Sequence, residues 1–279
     1  MEAVPDARTR LSPEDRLSAG NGAAVGANAA GVGLYLYGIT VSQGGVVVEV
    51  PGIGNAEVEQ LVVGSLAAIV TRVSTQKIRP RRADLAAHHR VLRDLTDRQP
   101  ILPVAFGTIA GSEARLREVL RRNHDVLVDQ LRRLRGKVEM GLNVYWDTPN
   151  IFEFFVATHR ELEEMRDRLF RPGRTPTFGE KVSMGKLFES LLEQNRQRHT
   201  RQVVEALSPY CVEIRTIDPG EEKMIMKLGC LVEANRRQQW EEGIEQVARH
   251  FDNHYCFKYT GPWAPHNFAD VDLDLEAAF

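Results

Sequence analysis

With 279 residues the chain is long enough for two ordinary domains, and 43% hydrophobic and 27% charged residues is the balance of a globular protein. A net charge of −2, with arginines interspersed among Glu and Asp, leaves no global pull toward nucleic acid or an anionic membrane. No apolar run reaches the ~18 residues of a membrane span, and three sparse cysteines, none in a CxxC pair, fit a reducing cytoplasm and small buried side chains.

In chain order, Met1 to Gly31 is rich in Ala, Gly, Asn and Ser and carries too little apolar surface to offset the entropy of ordering, so residues 1–32 read as a disordered tail. The start lacks the basic-then-apolar pattern of a signal peptide. Within the tail, Ser12-Pro13 could open a short helix. Leu34-Tyr35-Leu36-Tyr37 reads as a buried strand and Val46 to Val50 as a second. Val58–Val63 and Leu66–Val73 form a hairpin on the two-residue turn Gly64-Ser65. Asp84 caps a helix to Asp97 with Leu85, His88, Leu92 and Leu95 on one face.

Ile101 to Thr108 reads as a strand with Pro103 near its start, and Glu113 to Leu134 as one long helix, its leucines at helical spacing. Val138 to Trp146 is a strand. Thr148 caps and Pro149 opens a helix that ends at Pro172-Gly173. Thr177-x-x-Glu180 has the spacing of a capping box for a helix ending before Pro209. Strands at Cys211–Thr216 and Lys223–Val232, joined at Asp218-Pro219-Gly220, a helix from Arg236 to Phe251 and a strand from Tyr255 to Thr260 complete the pattern. The expected fold class is α+β, with two modified ferredoxin-like domains at 33–146 and 147–260, each a sheet with helices on one face. An irregular aromatic tail, 261–279, follows.

That tail begins Gly261-Pro262-Trp263-Ala264-Pro265-His266-Asn267-Phe268. Its prolines and glycine argue against helix and sheet pairing, while Trp263, Phe268 and the preceding Tyr259 gain by burial. The segment should therefore lie across the protein's own body or a partner. Tyr259, Pro262, Trp263, Asn267 and Phe268 are the candidate interface or interdomain residues.

Signals for chemistry are weak. Gly52-Ile53-Gly54 lacks the third glycine of a dinucleotide loop, and Gly107 to Ser112 lacks the lysine of a P-loop. His250, His254 and Cys256 have metal-ligand spacing only if one helix continues through Asp252-Asn253, and a helix end is the better reading there. His88 and His89 are adjacent and point in different directions. No GxSxG elbow is present. Arg79-Pro80-Arg81-Arg82 lacks interleaved aromatics, which reads as an exposed loop rather than a nucleic-acid site. No catalytic, cofactor or metal residue is assigned.

Four stretches carry a family resemblance: Leu34-Tyr35-Leu36-Tyr37-Gly38-Ile39; Ile101-Leu102-Pro103-Val104-Ala105-Phe106-Gly107-Thr108; Val144-Tyr145-Trp146; and, most specifically, Tyr259-Thr260-Gly261-Pro262-Trp263 with Pro265 and Asn267-Phe268. Over about Gly33 to Phe268 the chain resembles the GvpL/GvpF family of gas vesicle accessory proteins. That family commonly shows Pro-Pro-Tyr after the tryptophan, where this chain has Ala264-Pro265-His266. The resemblance implies two modified ferredoxin-like halves and a non-enzymatic role in building the gas-filled shells that give cells buoyancy. It implies contact with the main gas vesicle shell protein and other gas vesicle accessory proteins, and the expected place is the cytoplasm or the vesicle. No cofactor is expected, and the charge balance and the lack of a span argue against nucleic-acid and membrane partners. The rival reading is a small-molecule-binding regulatory module, since fold does not fix function.

Overall fold

The computed structural model describes residues 33–42, 48–74, 78–271 and 273–275. The tail 1–32, the helix at Ser12-Pro13 and Val46 lie outside the described residues. The chain divides into two compact units: one holds the chain up to Glu139 and again from Pro262, the other holds Met140–Gly261. The sequence reading set its divide at 146/147 and treated 261–279 as a separate tail.

The first unit opens on β1 (Gly33–Val41), which is buried from Gly33 to Thr40. Two-sided burial explains why the run Leu-Tyr-Leu-Tyr is apolar without alternation. β2 (Glu59–Val63) and β3 (Leu66–Val73) form the expected hairpin, with Val63 opposite Leu66 and Gly64 at φ +61°. Positive φ there is what the turn requires and glycine supplies at no steric cost. Described residues Val48–Val50, expected in a strand, lie in no strand; Val48 and Val50 pack on the core instead.

Helix α1 (Arg82–Thr96) buries Ala87, His88, Val91, Leu92 and Leu95; its N-cap is Arg81, without a side-chain bond, and Asp84 lies in its first turn rather than capping it. The strand expected at Ile101–Thr108 is two short strands, β4 (Ile101–Pro103) and β5 (Ile109–Ala110), both antiparallel to β1. Gly107, at φ +89°, lies between them. Pro103 ends β4 instead of starting it. The sheet order is β2-β3-β1-β4, with β5 also on β1.

The long helix expected over 113–134 is broken. α2 (Glu113–Arg122) and α3 (His124–Leu134) meet at Asn123, whose φ of −101° and ψ of 11° leave the helical range. Its side-chain amide donates to the Val119 carbonyl at 2.9 Å, satisfying an acceptor at the end of α2.

The second unit builds its sheet from β6 (Lys137–Trp146), β7 (Glu213–Ile217), β8 (Met224–Glu233) and β9 (Tyr255–Trp263), in the order β7-β8-β6-β9. Both sheets are antiparallel, and with their helices they make the fold α+β. Its first helix also splits, into α4 (Ile151–Thr158) and α5 (Arg160–Leu169), at His159, whose φ of −126° and ψ of 107° are extended. The cap of α4 is Asn150 rather than Thr148: Asn150 Oδ1 accepts from the N–H groups of Phe152 and Glu153 at 3.0 and 3.2 Å. The His159 ring stacks on Phe155, which joins Trp146 and Phe188 in an aromatic cluster.

Helix α6 (Phe178–Leu207) carries the expected capping box, with Thr177 Oγ1 accepting from Glu180 N at 3.3 Å and the Glu180 carboxylate accepting from Thr177 N at 2.9 Å. It ends just before the short turn that holds Pro209. Helix α7 (Arg237–Ala248) buries Trp240 completely. Cys230 is buried, whereas Cys211 and Cys256 are half-buried and all three are free thiols. The neighbouring Cys230 thiol holds the Cys211 thiol below the usual range. No helix among the described residues is long and apolar enough to cross a membrane.

Candidate interaction surface at the C-terminal tail

β9 runs three residues further than expected, through Gly261-Pro262-Trp263. Proline is tolerated because β9 is an edge strand, where a missing N–H need cost no ladder bond. The tail therefore starts as sheet, which corrects the sequence reading that its prolines forbid pairing. Its residues from Pro262 belong to the first unit.

Burial sorts the candidate residues. Phe268 is fully buried and Ala264 is 4% exposed. Pro262 and Asn267 are half-buried. Tyr259 is 47% and Trp263 40% exposed, large values for aromatics. Tyr259 lies in the second unit, edge-on to Trp240 at 5.7 Å between ring centres. Trp263 lies in the first unit, its ring 6.2 Å from His89 on α1.

The tail is held by polar bonds at each step. Asn267 donates its backbone N–H to Glu139 Oε2 at 2.8 Å and its side-chain amide to Oε1 of the same carboxylate. Glu139 is only 7% exposed, so these bonds compensate a costly desolvation. Arg133 donates to the Phe268 carbonyl. Gln130 makes two bonds with the Asp270 backbone, at 2.7 and 2.8 Å. Arg115 reaches Asp274, and Leu275 is buried.

The fold also gathers groups the sequence reading left apart. His88, buried on α1, lies 6.5 Å from the His266 ring, and His89 lies 6.3 Å from it. Tyr35 Oη accepts from Gly107 N at 3.3 Å and sits 2.8 Å from His88 Nδ1. Tyr37 stacks on the same ring and bonds to Thr71 and to Ile53 N. Burial raises the Tyr35 and Tyr37 hydroxyls and lowers His88 to about 3. Burial, with His89 nearby, lowers His266 to about 4. These rings are neutral near pH 7.

The departure at His266, where the family resemblance leads one to expect tyrosine, was the one signal that could have pointed to this cluster. Among the described residues, no group of three or more His, Cys, Asp or Glu side chains is placed to hold a metal ion. His254 Nδ1 bonds to Asp252 at 3.1 Å and His250 Nδ1 to the Gln246 carbonyl at 3.0 Å. The tail thus offers packing and a partly open aromatic surface.

The chain is 25% identical to gas vesicle protein F of Dolichospermum flosaquae, covering 86% of this chain and 98% of that one. It is 27% identical to gas vesicle protein F of Streptomyces sp. (strain CB03234), covering 85% and 99%. It is 22% identical to gas vesicle protein L1 of Halobacterium salinarum, covering 93% and 97%. Among solved structures it is similar to GvpF from Anabaena sp. PCC7120, at a TM-score of 0.75 and 23% identity over 86% of this chain and 99% of that one. The GvpF structure from Microcystis aeruginosa matches at 0.73 and 20% identity, covering 86% and 100%. The model of the gas vesicle synthesis protein GvpL/GvpF family matches residues 33–270, and the chain belongs to that family.

Proposed function

We propose that this protein is a non-enzymatic accessory of gas vesicle assembly, acting in the cytoplasm or on the vesicle. It binds the hydrophobic main shell protein and other accessory proteins while the shell is nucleated or grows. A shell subunit that must present an apolar face to gas would aggregate in water, and a protein surface that covers that face delays this. Family membership supports the setting. The observation that supports the mode of action is the partial exposure of Tyr259 and Trp263 beside a tail that is otherwise tied down. In this reading Pro262, Asn267 and Phe268 hold the tail in shape, while Tyr259 and Trp263 meet the partner.

The test is capture of purified shell protein by the wild type, Trp263→Ala and Tyr259→Ala, with fold checked by circular dichroism. Each exposed-aromatic variant should stay folded and lose several-fold in capture, since interface aromatics dominate binding energy. Phe268→Ala should instead cost about 3–5 kcal/mol of stability, because it empties a buried site. Equal capture by the folded Trp263 and Tyr259 variants would remove the tail from the mechanism.

A further inference from the structure

We propose that the exposed face of α1 is a docking surface for an acidic segment of a partner protein. Arg82, Ala86, His89, Arg90 and Arg93 are all exposed and fall on one side of the helix by their spacing. Arg79 and Arg81, also exposed, continue the positive surface ahead of the first turn. The inference goes beyond the tail reading and does not rest on it.

Two observations set this face apart. First, these five arginines make no ion pair with any described carboxylate, whereas α2 pairs Arg117 with Glu113 and Arg122 with Glu118 across its turns. Three unpaired arginines on one helix face, with two more just ahead of it, repel one another in a chain of net charge −2, and a carboxylate partner relieves that. Second, the fold supplies what the sequence lacked: an aromatic at the edge of the basic stretch. Trp263 lies 6.2 Å from His89 and is 40% exposed, giving the charged stripe an apolar border.

The dimensions define the occupant. At ~1.5 Å per residue, Arg82 to Arg93 spans roughly 16 Å, three helical turns. Ala86, the smallest side chain on the stripe, lets a partner backbone approach its middle. Exposed Asp97 and the Asp94–Arg98 pair end the positive run. A long polyanion would have to cross those carboxylates, while a short acidic helix would not. Glutamates at i, i+8 and i+11 on such a helix match the forks of Arg82, Arg90 and Arg93, which bind carboxylates in planar, two-point fashion.

The test uses the full chain and a labelled helical peptide with glutamates at that spacing, read by fluorescence anisotropy. Binding should be measurable at 50 mM salt, weaken at least fivefold at 300 mM, and vanish for the same peptide with Gln in place of Glu. Arg82→Glu/Arg90→Glu/Arg93→Glu should lose at least tenfold, the corresponding Gln triple variant less, and Arg201→Glu, an exposed control on α6, nothing. Circular dichroism checks that each variant is folded. No peptide binding, or equal binding by wild type and the folded triple variant, would overturn the proposal. So would tighter binding of phosphatidylserine vesicles or a single-stranded oligonucleotide through the same three arginines.

Discussion

At the level of single residues, the histidines around the tail set how the first unit responds to acid. His88 is neutral in the folded chain down to about pH 3 and His266 to about 4, against 6.5 for a free imidazole. As pH falls below about 6.5, the unfolded chain takes up protons that the folded chain refuses. Stability is therefore complete above that pH and is lost progressively toward pH 4. The groups facing His88 are His89, His266, Tyr35 and Tyr37, with Asp84 acting on the tyrosines, and none of them offers a close carboxylate that would reverse the sign. Each fully shifted histidine contributes a slope of up to about 1.4 kcal/mol per pH unit, less for half-buried His266. Urea unfolding at pH 7.5 and pH 5.0 should show that loss. His266→Tyr, which removes the imidazole, should make it shallower; an unchanged slope would show that His266 does not titrate in this way.

Among elements, the helix ends separate what local sequence specifies from what packing imposes. The Thr177-x-x-Glu180 box and the Gly64-Ser65 hairpin were legible because their chemistry is local. The breaks at Asn123 and His159 were not, because neither is Pro or Gly and the apolar spacing runs straight across both. The His159 break is held by tertiary bonds: its ring stacks on Phe155, and Asn195 of α6 lies 3.0 Å from Nε2. The first of these breaks belongs to the same class, an interruption that no residue propensity announces. The aromatic tail was legible as a rigid segment, but its bracing by Glu139, Arg133 and Gln130 depends on partners more than a hundred residues away. The histidine cluster was invisible for the same reason.

The start of α4 gives a sharp test at this scale. Asn150→Ala should cost about 1 kcal/mol, since its side chain satisfies two helix N–H groups. Thr148→Val should cost little or be stabilising, because the Thr148 hydroxyl is buried without a hydrogen-bond partner among the described residues. Paired denaturant midpoints would decide between Asn150 and Thr148 as the functional cap.

For the whole molecule, the arrangement of the chain matters more than any one contact. The first unit is discontinuous, since it needs residues from both sides of the second. Ending the chain at Gly261 would remove Ala264, Phe268 and Leu275 from burial and leave the Glu139 carboxylate without the Asn267 amides. Such a truncated protein should lose hydrogen-exchange protection in β1 while retaining it in β8. Of the three tryptophans, only Trp146 and Trp240 remain after that cut, so fluorescence would follow the second unit by itself. Equal protection in β1 with and without the last residues would mean that the tail is a passenger.

That discontinuity has a consequence during synthesis. A ribosome releases Met140–Gly261 as one contiguous stretch, ready to close on itself, while the earlier residues wait for Phe268 and Leu275 to emerge. At ~5–20 residues per second the wait is on the order of ten seconds. For that interval the apolar surface that Ala264, Phe268 and Leu275 cover in the folded chain stays open to water.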